Sequence, residues 1–247
     1  MASTLLILGG TADARALAAA VRARWPDMRI ITSLAGRTTA PRLPVGEVQS
    51  GGFGGAQGLA DYMRAEGVTA LIDATHPFAA EISKNAAEAA GLSGVPRLVL
   101  VRPPWKFVQN VAMQHMRSIS AAKSALENSG QRIFLAIGRQ EVSQFNALKD
   151  RFFLLRFIDA PTSLPPFDHC DVLTGRPGTY DDERRMLQQF AIDTLVAKNG
   201  GSAASRAKVD AALDLGLRVI LIDPPAPPPP PPHVDSIEGA LDWLGGL

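Results

Sequence analysis

The chain has 247 residues, and its 25 basic and 24 acidic side chains leave a formal net charge of +1, which argues against broad electrostatic binding to nucleic acid or to an anionic membrane. Cys170 is the single cysteine, which excludes an intrachain disulfide framework and a cysteine zinc cluster. No run approaches the roughly 20 apolar residues of a membrane span, and the first residues lack the basic start of a signal peptide, so we expect a soluble cytoplasmic protein.

Short apolar runs alternate with helical patterns in the first part of the chain. The predicted elements are strand 5–8, helix 12–22, strand 28–34, strand 46–51, helix 56–66, strand 69–74, a helix opening at Pro77, and strand 97–101. This alternation is typical of right-handed βαβ units that build a parallel sheet.

The second part of the chain follows the same pattern. Its predicted elements are helix 120–128, strand 132–137, a helix from 141, strands 152–157 and 170–175, helix 181–190, strand 193–197, helix 202–215, strand 218–222 and a closing helix 236–244. Between the two parts, residues 101–111 carry two prolines and break the rhythm, which indicates a domain boundary. We therefore predict two Rossmann-like three-layer α/β domains, 1–103 for the nucleotide and 104–247, with parallel sheets and a cleft between them.

A glycine turn follows the first predicted strand, at Gly9 and Gly10, and Thr11 precedes the first helix. Backbone N–H groups and a positive helix end at such a turn attract a phosphate, and glycine permits close approach. The dinucleotide fingerprint G-x-G-x-x-G is absent, because the two glycines are adjacent. An ordinary tight βα turn is the alternative.

Ser33, Arg37 and Thr38 lie at or just beyond the end of the second predicted strand, and no Asp or Glu occurs between Asp27 and Glu47. NAD-specific sites place an acid here for the ribose 2′-hydroxyl, whereas an arginine pairs well with a 2′-phosphate. If a dinucleotide binds here, the sequence favours NADP. A solvated loop arginine is the alternative.

Further along, Gly52, Phe53 and Gly54 form part of the glycine-rich stretch "SGGFGGAQG" before a predicted helix. An aromatic residue among glycines suits a backbone that passes close to a flat ligand, and a flexible loop is the alternative.

Thr75, His76 and Pro77 stand where the predicted strand 69–74 passes into a helix. Pro77 suits the first helical position, with Thr75 or His76 as the cap. The carboxyl end of a parallel strand is also where α/β sheets bind ligands, so Thr75 and His76 are candidate site residues.

A similar junction in the second part, Lys198–Gly201, precedes a helix whose predicted N-cap is Ser202. Lys198 beside a helix N-terminus suits a carboxylate or a phosphate, with an ordinary capped turn as the alternative. Arg139 follows the end of another strand. The four histidines are too scattered to indicate a metal site, and we predict none.

These motifs, in this order, resemble the precorrin-6A reductases of cobalamin (vitamin B12) biosynthesis. The stretches that carry the resemblance are "LGGTADARALA", "SGGFGG", "DATHPFAAEIS", "RPPW" and "KNGGSAASRAKVDAALDLGLRVILIDPP". The resemblance implies NADPH-dependent reduction of one double bond of a ring-contracted tetrapyrrole, converting precorrin-6A to precorrin-6B. It also implies that nucleotide and substrate lie between two Rossmann-like domains, and it makes other enzymes of the cobalamin pathway candidate partners.

Carried over position by position, the resemblance makes Gly9–Thr11 the phosphate turn, Thr75–Pro77 part of the nicotinamide-side wall, and Lys198–Gly201 the contribution of the second domain. Two departures are a glycine at position 200, where the family more often has serine, and the stretch "GRPGTYDDE" in place of a Gly-Pro-Phe pattern. We therefore assign no role to Thr179 or Tyr180.

A tetrapyrrole with many acetate and propionate groups needs cationic and N–H partners. The cationic candidates are Arg102, Lys106, Arg139, Lys198 and Arg206. Asn199, Gly200 and Gly201 are further candidate substrate-binding residues. Reduction also needs a proton, and His76 is the candidate donor.

Two other functions fit parts of the sequence. A methyltransferase or short-chain oxidoreductase would share the fold, but the Tyr-x-x-x-Lys pair of the latter is absent, since Tyr62 and Tyr180 are followed by Glu66 and Arg184. A two-domain nucleotide-binding or sensory protein could use the polyproline tract within 223–233 to recruit a partner. Deleting the tract should abolish partner capture in that case and spare reductase turnover otherwise.

Overall fold

The structure is a computed structural model that describes residues 3–36, 40–108, 110–127, 130–163, 166–226 and 232–247. Arg37, Thr38 and the proline run 227–231 lie outside the described residues. The chain divides into two units: the first unit is Met1–Pro103 with Pro225–Leu247, and the second unit is Pro104–Pro224.

The first unit carries a six-stranded parallel sheet with helices from both ends of the chain. Its elements are β1 (Thr4–Leu8), α1 (Ala12–Arg24), β2 (Arg29–Leu34), β3 (Glu47–Ser50), α2 (Ala56–Ala65), β4 (Val68–Asp73), α3 (Ala80–Ser93), β5 (Arg97–Leu100), β12 (His233–Val234) and α7 (Ile237–Gly245). The strand order is β12-β5-β4-β1-β2-β3, and all pairs are parallel.

The second unit repeats this architecture. Its elements are β6 (Met113–Met116), α4 (Ile119–Leu126), β7 (Arg132–Ala136), a 3-10 helix (Val142–Phe145), β8 (Phe152–Phe157), β9 (Cys170–Thr174), α5 (Tyr180–Gln189), β10 (Thr194–Lys198), α6 (Ala203–Asp214) and β11 (Arg218–Ile222). Its sheet has the order β6-β11-β10-β7-β8-β9, again all parallel. The predicted class, two α/β units with parallel sheets, is therefore confirmed.

Central strands in both sheets are continuous apolar runs because helices cover both faces. Every residue of β1 is buried, and β10 is buried except at Lys198. The helix α1 begins where the Thr11 hydroxyl accepts a hydrogen bond from the Ala14 N–H at 3.0 Å, so a side chain satisfies one of the unpaired N–H groups of the first turn.

The end of the chain belongs to the first unit, which corrects our prediction of a continuous second domain over 104–247. In β12, His233 and Val234 pair with Val99 and Leu100 of β5. The helix α7 places Leu241 and Leu244 in the same apolar core as Leu17 of α1. The sequence did not reveal this return because a two-residue strand has no periodicity to detect.

Two further elements differ from prediction. The helix expected from residue 141 is the four-residue 3-10 helix. The strand β6, "MQHM", was not predicted, because its half-exposed, partly polar residues at a sheet edge lack an apolar pattern.

Within the described ranges, no helix has both the length and the apolar character to cross a bilayer. The same ranges contain no group of three or more His, Cys, Asp or Glu placed to hold a metal ion.

Candidate active site

The first unit has its topological switch point between β1 and β4. The chain runs from β1 outward to β2 and β3, then returns to β4 on the other side of β1 and continues to β5. Ligands of open α/β sheets bind in the crevice that such a reversal leaves at the carboxyl ends of the strands. Two of the predicted motifs, Gly9–Thr11 and Thr75–Pro77, follow β1 and β4 at this edge.

The turn after β1 is held close to β2 and to β4. Gly9 N–H donates to the Ser33 carbonyl at 2.9 Å, and Thr11 Oγ1–H donates to the Ala74 carbonyl at 2.8 Å. A methyl group on Gly9 would lie 2.7 Å from Thr32 Cγ2, so this glycine is needed for packing. Gly10 has a φ of +96°, and a methyl group there would meet no atom within 4 Å, which leaves open space beside the start of α1.

Asp13 lies in the first turn of α1, and Arg102 pairs with it. Arg102 Nε lies 2.7 Å from Asp13 Oδ2, and the arginine side chain is 13% exposed. An acid near a phosphate turn would repel an anion, and the guanidinium offsets that charge. The structure thus places Arg102, predicted as a substrate ligand, beside the candidate phosphate turn.

Ser33 lies near the end of β2 and is buried, and its carbonyl accepts the hydrogen bond from the Gly9 N–H. The candidates Arg37 and Thr38 lie outside the described residues. No acid follows β2 in the sequence before Glu47.

Gly52, Phe53 and Gly54 stand between β3 and α2. The Phe53 ring is half-buried and lies 5.1 Å, centroid to centroid, from the Tyr62 ring of α2. A side chain on Gly58 would collide with the Phe53 carbonyl. The backbone of this stretch is therefore packed on α2, while methyl positions on Gly52 and Gly54 would meet no atom within 4 Å.

The turn after β4 differs from prediction. The helix α3 begins at Ala80, with Ala79 as N-cap and no side-chain cap, so neither Thr75 nor His76 caps it. The Ala79 N–H instead donates to the His76 carbonyl at 2.7 Å, which makes Pro77 the second residue of a four-residue turn, a position that proline favours. His76 is exposed, and its Nδ1 accepts from the Phe78 N–H at 3.3 Å, so the neutral ring carries its proton on Nε2.

The second unit has the same kind of switch point, between β7 and β10. Lys198, the last residue of β10, pairs through Nζ with Glu141 Oε1 at 2.6 Å. Both side chains are largely buried, at 15% and 28% exposed. Arg139, exposed at the end of β7, has its Cζ 5.7 Å from the Phe157 ring centroid. Lys198 and Arg139 therefore lie at the carboxyl edge of this sheet, and their contact with substrate stays a prediction.

Asn199 is a structural residue. It is 2% exposed; its Oδ1 accepts from the Trp105 N–H at 2.7 Å, and its Nδ2 donates to the Trp105 carbonyl at 3.3 Å and to Asp223 Oδ1 at 3.1 Å. The Trp105 indole Nε1–H donates to the Ser202 carbonyl at 3.1 Å. These hydrogen bonds hold the Lys198–Gly201 turn in place. Both polar atoms of the Asn199 side chain are bonded to residues of the second unit.

Gly200 is buried, and Gly201 has a φ of +70°, a backbone conformation that glycine adopts readily. Ser202 is the N-cap of α6 as predicted, although its side chain makes no capping hydrogen bond.

Four carboxylates in these two sites were not predicted: Asp13, Asp73, Glu141 and Asp223. Asp73 and Asp223 carry a usable signal, because each is an acid at or just past the end of an otherwise apolar strand. Glu141 carries no comparable signal in the sequence; in the structure its carboxylate lies over Gly138 and would have to move if a side chain were added there.

Comparison with known proteins agrees with this arrangement of motifs. The sequence model of the family described as precorrin-6x reductase CbiJ/CobK matches residues 4–245. A precorrin-6A reductase of Rhodococcus erythropolis is 47% identical over 245 residues, 98% of each chain, and one of Mycobacterium tuberculosis H37Rv is 44% identical over the same coverage. A solved structure, CobK precorrin-6A reductase, superimposes with a TM-score of 0.91 at 39% identity, covering 99% of this chain and 96% of that one. This chain therefore belongs to the precorrin-6x reductase family of oxidoreductases.

Proposed function

We propose that this protein uses NADPH to reduce precorrin-6A to precorrin-6B in cobalamin biosynthesis. The observation that carries the proposal is the family match over 4–245, which spans both switch-point sites. The reduction of a precorrin by a nicotinamide cofactor follows from the family; the choice of NADPH, the residues and a cytoplasmic setting are our proposal.

The nucleotide fits the first unit. Open space at Gly10, the α1 N-terminus and the Asp13–Arg102 pair together provide a turn that can approach a pyrophosphate. Preference for NADPH rests on the sequence after β2, which lacks an acid for a 2′-hydroxyl and offers Arg37 for a 2′-phosphate.

The substrate carboxylates fit the second unit. Lys198 and Arg139 place two cations at the carboxyl edge of its sheet, and Asn199 keeps the Lys198–Gly201 turn in a fixed conformation. Guanidinium and ammonium groups are the natural partners of carboxylates. Because the Lys198 ammonium already contacts Glu141, its position is set before a ligand arrives.

When bound, NADPH supplies a hydride from C4, so that its nicotinamide is oxidised while one carbon of the tetrapyrrole double bond gains the hydride and the other gains a proton. Thr75–Pro77 form the wall that orients the reacting partners and excludes water. His76, an exposed residue of this turn, is the proposed proton donor; it would give up the proton from its imidazolium form and become the neutral ring.

Turnover with the two nicotinamide cofactors tests the proposal. The purified protein with NADPH should deplete both the NADPH and the precorrin-6A absorbance, with one cofactor oxidised per substrate reduced, and NADH should support the reaction poorly.

Arg37→Ala should raise the KM for NADPH and leave that for NADH nearly unchanged, because the 2′-phosphate is the difference between them. His76→Ala in the same assay should lower kcat while Tm stays near that of the wild type.

Two results would contradict these assignments. No turnover with either cofactor would refute the reductase function itself. Equal losses with NADPH and NADH in Arg37→Ala would remove Arg37 from the nucleotide site, and a proportionate loss of kcat and Tm in His76→Ala would make His76 structural.

A further inference from the structure

A buried carboxylate lies directly beneath the turn that holds His76. Asp73 is the last residue of β4, pairs in register with Leu8 at the end of β1, and is 1% exposed. It therefore sits at the switch point of the first sheet. Burying a carboxylate costs free energy unless hydrogen bonds and an opposite charge compensate it. The groups that contact Asp73 therefore indicate what the buried carboxylate does.

Asp73 holds the next turn through one of its oxygens. Its Oδ1 accepts from the Thr75 N–H at 3.1 Å and from the Thr75 hydroxyl at 2.7 Å. Thr75 Oγ1 lies 3.4 Å from Ser83 Oγ of α3. The side chain of Asp73 thus fixes both the backbone and the side chain of the residue that precedes His76.

A buried arginine completes the arrangement. Arg97, the first residue of β5, is 5% exposed, and its Nη1 donates to the Ser83 carbonyl at 3.5 Å. Burial lowers the pKa of Arg97, and the nearby Asp73 carboxylate opposes this shift. Three elements, β4, β5 and α3, therefore meet below the turn.

Asp73 and Arg97 together place more charge below the His76 turn than is needed to hold that turn. Among the described residues, Asp73 Oδ2 and Arg97 Nη2 have no hydrogen-bond partner. A neutral Asn or Ser could accept the same bonds from Thr75 without placing an unsatisfied charge in the interior. Buried groups left partly unsatisfied call for an explanation, and sites of function are where they concentrate.

We propose that Asp73 is a positioning residue for the reduction: by holding Thr75 it fixes the His76 turn at the crevice between β1 and β4. Asp73 itself does not contact the reacting atoms in this proposal, which rests on the proposed function of the site. Displacement of a catalytic wall by about 1 Å can lower a rate on the order of 100-fold, so a support of this kind has a measurable effect.

Steady-state kinetics of a small variant set tests the proposal. Asp73→Ala should lower kcat/KM for NADPH on the order of 10- to 100-fold. The KM for precorrin-6A should change little, because Lys198 and Arg139, the cations proposed for its carboxylates, lie in the second unit. Thr75→Val should reproduce part of the loss, and Thr75→Ser, which keeps the hydroxyl, should restore it. Asp61→Asn is the matched control, an exposed aspartate of α2 in the same unit.

A double-mutant comparison separates positioning from stability. Because Asp73 acts through Thr75, the Asp73→Ala/Thr75→Val protein should lose no more activity than Asp73→Ala alone. All assays run below the temperature at which any variant begins to unfold. A lowered Tm with unchanged kinetic constants, or fully additive losses, would overturn the positioning role.

A measurement without ligand keeps this inference distinct from the proposed function. In Asp73→Ala, the Thr75 amide should exchange with solvent faster and the ¹⁵N shifts of the His76 ring should move, while both stay unchanged in Asp61→Asn. An inactive wild type refutes the reductase function, and these signals then still decide whether Asp73 fixes the turn. Unchanged amide exchange and ring shifts in Asp73→Ala overturn the inference, whatever the turnover.

Discussion

Two of the cations proposed for ligand binding are already paired with carboxylates. Arg102 contacts Asp13 and Lys198 contacts Glu141, each at the carboxyl edge of its own sheet. Pairs at partly buried positions are screened less than surface pairs, so they hold the long side chains in one conformation. A ligand carboxylate or phosphate therefore meets a cation whose position is set and whose charge is partly balanced.

A third cation is buried far more deeply. Lys208 of α6 is 5% exposed and donates through Nζ to the Ser205 carbonyl at 2.8 Å. Burial lowers its pKa to about 8; the negative charge of Glu183 opposes this shift, and the positive charge of Arg156 adds to it. Its protonation therefore changes within an accessible pH range.

The stability of the second unit should consequently rise with pH because of Lys208. Between about pH 8 and pH 10.5 the unfolded chain holds a proton on this lysine that the folded chain has released, so folding becomes more favourable across that window. Below pH 8 Lys208 is charged in both the folded and the unfolded chain, so the free-energy cost of burying its charge is constant. Above pH 10.5 the side chain is neutral in both states, and this cost disappears. The total effect is about 3 kcal/mol, at 1.36 kcal/mol per pKa unit.

Urea unfolding of Lys208→Met from pH 7 to 10 measures this effect. The variant should be more stable relative to wild type at pH 7 than at pH 10, and the difference should shrink steadily above pH 8. Lys84→Met, at an exposed position of α3, should show no such slope. A difference between Lys208→Met and wild type that does not vary with pH would contradict the lowered pKa.

At the scale of single residues, the sequence predicts motifs at strand ends but not contacts between residues far apart in the chain. Gly9–Thr11 and Thr75–His76 could be placed at strand ends, because an apolar run that stops at glycine or polar residues is visible in one dimension. The pairs Arg102–Asp13 and Lys198–Glu141 join residues 89 and 57 positions apart, which local patterns do not encode. The hydrogen bonds between Asn199 and Trp105, 94 positions apart, escape local patterns for the same reason, and a contact of Asn199 with substrate stays a prediction.

At the scale of elements, the Lys198–Gly201 turn depends on the segment that precedes β6. Asn199 forms two hydrogen bonds with the backbone of Trp105, in the manner of a short sheet pairing, and a third with Asp223 after β11. His115 of β6 reaches the same carboxylate through Nδ1, at 2.9 Å. One amide therefore links the ends of β10 and β11 to Trp105, which packs in the core of the second unit.

Removing this amide should destabilise the second unit strongly. In Asn199→Ala, the Trp105 N–H and carbonyl lose their side-chain partner in a buried setting, which costs roughly 1–3 kcal/mol per unsatisfied group. For the two groups together we expect a total loss of roughly 2–6 kcal/mol in urea unfolding. Gln188→Ala, an exposed amide of α5, should change stability by less than about 0.5 kcal/mol. A similar small effect for both variants would show that the amide does not fix the turn.

Most helices and strands were predicted within a few residues, since their apolar periodicity is strong. The start of α3 was not: Pro77 fits the first helical position and the second position of a turn equally well, and the turn is what forms. A single proline signal does not distinguish these two uses.

At the scale of the whole molecule, both sheets share one plan. Starting from its switch point, each sheet runs three strands in one direction and three in the other, as in β3-β2-β1 and β4-β5-β12. In the second unit the sixth position is taken by β6, which precedes the other five in the chain. The sequence predicted the parallel sheets but not the strands at these sixth positions, because both are short and irregular in pattern.

The core of the first unit should therefore depend on the last residues of the chain. Leu241→Ala leaves a cavity against α1 and β5, at a cost of roughly 2–5 kcal/mol. Hydrogen exchange should show lost protection in peptides from β1 and β5, with little change in β7 and β10. Glu238→Ala, on the exposed side of α7, is the control and should match wild type. Equal loss of protection in both units would contradict this assignment of α7.

The position of β12 also sets an order on biosynthesis. A ribosome releases β1 to β5 first, yet the outer edge of β5 receives its partner only when β12, His233–Val234, emerges. The strands of the second unit are all made in the meantime. The nascent chain thus carries an open, apolar sheet edge while about 130 further residues are synthesised, a stage at which chaperones act on exposed strands. Completion of the sheet in the proposed nucleotide-binding unit therefore waits until the strands of the second unit have been made.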